Sequence, residues 1–91
     1  MVALEDGRVV ELELFKFDWC PYCVIVQRKL EQLGIADQVR YRDTIAEPGA
    51  NAELVARGGK RQVPCLFIDG APMYESLDIN AWLDRHVAGR A

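Results

Sequence analysis

The chain has 91 residues, 51% apolar and 27% charged, an ordinary globular balance for one small domain that excludes disorder and collagen-like repeats. Its net charge of -3 argues against nucleic acid as the main partner, because neutralising phosphates needs clustered cations. No apolar run approaches the ~18 residues of a membrane span, and Met1 to Asp6 lacks the basic-then-apolar order of a secretory leader.

Residues 1–8 are additional to the main pattern, and Asp6-Gly7 makes them either a short hairpin strand or a flexible tail. Val9 to Phe17 alternates apolar and polar, which predicts a strand. Asp18-Trp19 breaks it. From Pro21 to Leu33 the period becomes helical, with Cys23, Val26, Leu30 and Leu33 on one face and Gly34 as C-cap. Gln38 to Asp43 predicts a short strand, and Pro48-Gly49 a turn. Asn51 is the expected cap of a helix running to Arg57 and ended by Gly58-Gly59. Pro64 to Asp69 is an apolar run between turn residues, the pattern of a buried strand. Asp69-Gly70 signals a tight turn into a short strand, Pro72 to Tyr74. Ser76 is the expected cap of a last helix with Ile79, Trp82, Leu83 and Val87 as its buried stripe. The order βαβαββα fits an α/β fold, a mixed four-stranded sheet flanked by three helices. Its first two strands are parallel and its last two an antiparallel hairpin.

Three cysteines are too few, and odd in number, for a secreted disulfide scaffold, so a reducing compartment, the cytoplasm, is expected. Two of them form Cys20-Pro21-Tyr22-Cys23, where the first strand passes into the first helix. A sulfur at a helix N-terminus faces unpaired amides and the positive end of the macrodipole, which favour the nucleophilic thiolate. Pro21 suits the first turn, where its missing N–H costs nothing. Cys23, within one turn, is placed to attack a mixed disulfide on Cys20. Structural zinc needs four ligands, and Cys65 and His86 are the only other Cys or His residues.

Cys20-Pro21-Tyr22-Cys23 after a strand, Val63-Pro64 opening a later strand and a terminal helix with an acidic-polar start resemble a glutaredoxin of the dithiol type, over about Val10 to Val87. The Glu75-Ser76 step resembles the N-terminal domain of glutathione transferases. Two positions depart from the glutaredoxin pattern. Phe17 stands where a lysine is common, with Lys16 one step earlier, and Tyr74-Glu75-Ser76-Leu77-Asp78 replaces a Gly-Gly-Cys-Asp-type segment.

The resemblance implies a thioredoxin-like fold and a glutathione-dependent thiol-disulfide oxidoreductase acting on protein disulfides and glutathione mixed disulfides. Cys20 is then the nucleophile and Cys23 the resolving thiol. It also implies a cis Val63-Pro64 bond that turns the Val63 backbone toward the site, where an extended peptide pairs with it. Tyr22, Arg61, Gln62, Val63, Pro64, Glu75 and Ser76 are the expected glutathione contacts. Ser76 and the first amides of the last helix would take the γ-glutamyl carboxylate, and Glu75 or Asp78 the ammonium. Arg57, Lys60 and Arg61 form a positive run before Val63, although Arg57 reads equally as a solvated helix end. Trp19 either lines the same groove or packs on the neighbouring loop. Cys65 alternates inward as a core residue. Glutathione is the expected co-substrate, with no metal or nucleotide required. The expected partners are glutathione and disulfide-bonded or glutathionylated proteins, met by a monomer that uses neither nucleic acid nor membrane. Two alternatives stand beside this reading: a non-catalytic glutathione-binding domain of transferase type, and an iron-sulfur cluster carrier.

Overall fold

The computed structural model describes residues 1–87. A small antiparallel hairpin, β1 (Val2–Ala3) and β2 (Val9–Val10), precedes the main sheet. There follow β3 (Leu12–Lys16), α1 (Pro21–Gln32), β4 (Arg40–Asp43), α2 (Ala50–Gly58), β5 (Cys65–Ile68), β6 (Ala71–Tyr74) and α3 (Ser76–His86). The four longer strands form one mixed sheet in the order β4-β3-β5-β6, with β3 and β4 parallel and the other pairs antiparallel. This is the expected sheet with its three helices. Among the described residues no helix is long and apolar enough to cross a membrane.

The predicted strand Val9 to Phe17 is two strands. Glu11 separates them because its backbone is drawn to the β5–β6 turn. Its N–H donates to the Asp69 carboxylate at 2.8 Å, and its carbonyl accepts from the Asp69 N–H at 2.9 Å. Asp69 (φ 49°) and Gly70 (φ 85°) are both left-handed, the conformation a two-residue hairpin turn requires.

Alternation then divides the sheet into two dry faces. Leu12, Leu14 and Leu66 pack with Val26 and Leu30 of α1 and with Ile79 and Leu83 of α3. Each such burial contributes roughly 1.5–3 kcal/mol. Residues 1–10 join this core through three side chains, Val2, Leu4 and Val10, which are buried in it. Leu4 also bridges Val87, and the Glu5 N–H donates to the His86 carbonyl at 2.8 Å. They are the hairpin strand, and they tie down the end of α3.

Two expected helix caps are not used. Gly49, left-handed at φ 82°, precedes α2, and Asn51 lies inside the helix. The turn before it is built by Asp43, whose carboxylate accepts the N–H groups of Ile45 and Ala46 at 2.8 Å each. Ser76 is the first residue of α3 and not its cap; Glu75, at φ 73°, holds that position without a side-chain bond to the helix. In the stripe of α3, Ile79, Leu83 and Val87 are buried and Trp82 is half-buried.

The second face carries Phe15, Cys65 and Phe67 under Ala50 and Leu54 of α2. A charged lattice closes it. Arg42, buried, donates to Glu13 (2.9 Å), Glu47 (2.6 Å) and Glu53 (2.8 Å). Arg57 donates to Glu13 (2.9 Å) and Glu53 (2.7 Å), with its guanidinium 4.3 Å from the Phe67 ring centroid.

Hydrogen bonds from Arg42, then from Arg57, hold the Glu53 carboxyl at about 2, below its usual 4.5. A depressed carboxyl stabilises the fold above its unfolded value, and that stability is lost as pH falls toward the folded value. Urea midpoints should therefore fall as pH drops from 4.5 to about 2. Glu53→Gln should lower the midpoint at neutral pH and flatten this acid limb. Salt should shrink the difference, because Glu53 is partly exposed.

Candidate functional site

The register places three chain segments at one edge of the sheet. Phe15, Cys65 and Tyr74 are directly opposite one another across β3, β5 and β6. The end of β3, the start of β5 and the end of β6 therefore share an edge, and so do the loops that leave them.

The loop after β3 delivers Cys20 to the N-cap of α1. Its sulfur accepts the Cys23 N–H at 3.2 Å, and Pro21 opens the helix behind it. Cys20 is 4% exposed and Cys23 is fully buried. Burial, and then the hydrogen bond between the two thiols, pushes the Cys23 thiol up to about 12. All three cysteines are free.

Beside this pair is an open groove of about 670 Å³. Tyr22, Gln62, Val63, Pro64, Glu75 and Ser76 line it, so six of the seven expected ligand contacts are brought together. The seventh, Arg61, lines a separate groove with Ile45 and Val55. The Val63-Pro64 bond is cis. Gln62 Nε2 donates to Glu75 Oε1 at 3.0 Å, joining the two walls.

Leu77 and Asp78 complete the groove. Leu77 is a lining residue that was not among the expected contacts. The available signal was a leucine off the buried stripe of α3, and it is 79% exposed. Tyr74 supports the same wall from behind. Its hydroxyl accepts the Lys60 N–H at 3.2 Å and donates to the Lys60 carbonyl at 3.0 Å. Gly58 allows this approach, since a Cβ there would collide with the Tyr74 hydroxyl.

The remaining candidates lie outside the groove. Trp19 is 75% exposed and meets the Phe17 ring edge to face, 4.7 Å between centroids. Lys16 Nζ is 2.7 Å from the Asp18 carboxylate and 3.9 Å from that of Asp43. Arg57 belongs to the charged lattice, and Lys60 Nζ stands 5.3 Å from the Tyr74 ring centroid. Cys65 is core, and burial pushes its thiol up to about 11. Among the described residues no cluster of His, Cys, Asp and Glu is placed to hold a metal ion.

A fold of this kind, with a dithiol at a helix N-terminus beside a cis proline, defines a thioredoxin-like protein. The sequence model of the glutaredoxin family matches residues 12–72, and the chain belongs to that family. Among solved structures it is similar to glutaredoxin from Brucella melitensis, at 27% identity and a TM-score of 0.63, covering 86% of this chain and 83% of that one. Oxidized glutaredoxin 2 from Chlamydomonas reinhardtii is 24% identical with a TM-score of 0.67, over 82% of this chain and 72% of that one. A rice glutathione transferase in complex with glutathione is 27% identical with a TM-score of 0.68, over 86% of this chain. The chain spans only 33% of that transferase's length. No curated protein sequence matches it.

In the native reduced protein, Cys23 and Cys65 should resist alkylation at about pH 8, because both thiols stay protonated and covered. In urea they should react as ordinary cysteines. Peptide mapping after iodoacetamide treatment checks this; equal labelling of Cys23 in the native and unfolded states would contradict it.

Proposed function

We propose that the chain is a glutathione-dependent thiol-disulfide oxidoreductase that reduces protein disulfides and glutathione mixed disulfides. The observation that supports this best is that the first turn of α1, capped by Cys20, lends Tyr22 to a groove walled by Gln62 to Pro64 and by Glu75 to Asp78.

In the monothiol route the Cys20 thiolate attacks the glutathione sulfur of a glutathionylated protein. A Cys20–glutathione disulfide forms, and the protein thiolate leaves and takes up a proton. A second glutathione thiolate then attacks the bound glutathione sulfur, which releases Cys20 and glutathione disulfide. The net exchange consumes one free glutathione, whose sulfur takes the place of the protein sulfur in the disulfide, and leaves the protein thiol reduced. In the dithiol route Cys20 attacks a protein disulfide, and Cys23 attacks the Cys20 sulfur of the mixed disulfide. The reduced substrate leaves, and a Cys20–Cys23 disulfide remains for glutathione to reduce. Attack by Cys23 requires loss of its proton, which burial opposes. The charge at Cys20 opposes it as well, and formation of the mixed disulfide removes that charge.

The groove supplies the ligand contacts in this reading. The Val63 backbone, beside the cis bond, pairs with the extended peptide. The first amides of α3 and the Ser76 hydroxyl take the γ-glutamyl carboxylate, and Glu75 or Asp78 faces the ammonium. A second reading, glutathione binding without turnover, draws support from the Glu75-Ser76 step and the transferase likeness. Turnover of a mixed disulfide by the wild type separates the two.

Cys20→Ser should abolish both activities. Cys23→Ser should keep deglutathionylation and lose reduction of protein disulfides that need a second thiol. Assays of both variants on a glutathionylated and on a disulfide-bonded protein check this; equal loss of both activities in Cys23→Ser would exclude the monothiol route.

Because Glu75 holds the N-cap of α3, removal of the Ser76 hydroxyl should be read in ligand affinity more than in folding. Ser76→Ala and Glu75→Gln should each weaken glutathione binding about fivefold, the effect of one lost hydrogen bond, with melting temperatures close to wild type. Calorimetry beside thermal melts decides it; unchanged affinity in both would move the γ-glutamyl site elsewhere.

A further inference from the structure

We propose that this groove accepts γ-glutamyl thiols whose C-terminal carboxylate is blocked or extended as readily as it accepts glutathione; the inference rests on the glutathione reading above. Glutathione has an ammonium and a carboxylate on its γ-glutamyl residue and a second carboxylate on glycine. The charged side chains lining the groove are both acidic, Glu75 and Asp78. Among the described residues, no lysine or arginine lines it.

Three of the four cations near it in the chain are engaged elsewhere, and the fourth, Arg61, lines a different groove. Lys16 is bonded to Asp18, and Arg57 to Glu13 and Glu53. Lys60 stands over the Tyr74 ring, and Arg61 lines the separate groove. The charge pattern therefore suits the ammonium and one carboxylate, the latter received by the first amides of α3. The glycine carboxylate is left to neutral partners, Gln62 and Tyr22. With no cation lining the groove the glycine carboxylate gains no ion pair there, and the carboxylates of Glu75 and Asp78 repel a second anion. Removing the glycine charge, or continuing the chain beyond it, then costs little. Blocking the ammonium costs much more.

Calorimetry of the purified protein with three S-methylated probes tests this: S-methylglutathione, its glycine ethyl ester and its N-acetyl derivative. The ester should bind less than about threefold more weakly than S-methylglutathione, and the N-acetyl form about tenfold or more. An ester weakened about threefold or more would overturn the inference, as would an N-acetyl form that binds like the parent. An ester penalty that vanishes in Arg61→Gln would trace the failure to Arg61 reaching the groove. If S-methylglutathione itself does not bind, the glutathione reading falls first; if it binds and the ester does not, only the present inference falls.

Discussion

The register of Phe15, Cys65 and Tyr74 is the constraint on which the site depends. Because β5 runs antiparallel to both β3 and β6, one edge collects the end of β3, the start of β5 and the end of β6. Each leaves by a short connection. The first carries Cys20, the second Gln62 to Pro64, and the third Glu75 and Ser76. These groups come from distant parts of the chain, yet no loop has to travel to bring them together. A slip of one residue of β5 along β3 would turn Phe67 out of the α2 core and shift the groove wall that β5 carries. Core packing therefore holds the site in place.

The charged lattice guards the same register from the α2 side. A buried guanidinium is costly unless every donor finds a partner. Arg42 meets this demand with three carboxylates, two of which Arg57 shares. The carboxylates come from β3, from α2 and from the turn before it. Satisfying Arg42 therefore requires all of these to be in place at once, over the rings of Phe15 and Phe67. Such a lattice is better evidence for geometric specificity than for net stability.

Local signals were legible in the sequence wherever a single residue type carries the geometry. Period two marked β3, the helical stripe marked α1, Asp69-Gly70 marked the hairpin turn, and Pro21 with Cys20 marked the start of α1. Signals that depend on a distant partner were not. Glu11 sits inside an unbroken alternating run, and only its bonds to Asp69, 58 residues away, separate β2 from β3. Arg57 read as an available cation because Glu13 and Phe67 are remote in the chain. Ser76 read as a cap from its residue type, but the cap is decided by the backbone of Glu75. Of the six expected ligand contacts that share a groove, five belong to two short segments that the sheet joins, and Tyr22 comes from the first turn of α1. Arg61 stands apart although it immediately precedes Gln62 in the chain, lining instead the groove beside α2.

Glu75 shows how the site and the fold compete at one residue. A non-glycine residue at φ 73° costs on the order of 1–3 kcal/mol, and glycine would relieve that strain. A glycine would also remove the carboxylate that accepts from Gln62 and faces the groove. The strained backbone turns the chain out of β6 so that α3 begins immediately at Ser76, with its first amides at the groove. A relaxed cap of the serine or aspartate type would hold those amides for the helix itself. The strain at Glu75 is thus coupled to the availability of the α3 amides, and the bond to Gln62 fixes the carboxylate in the position that the turn creates.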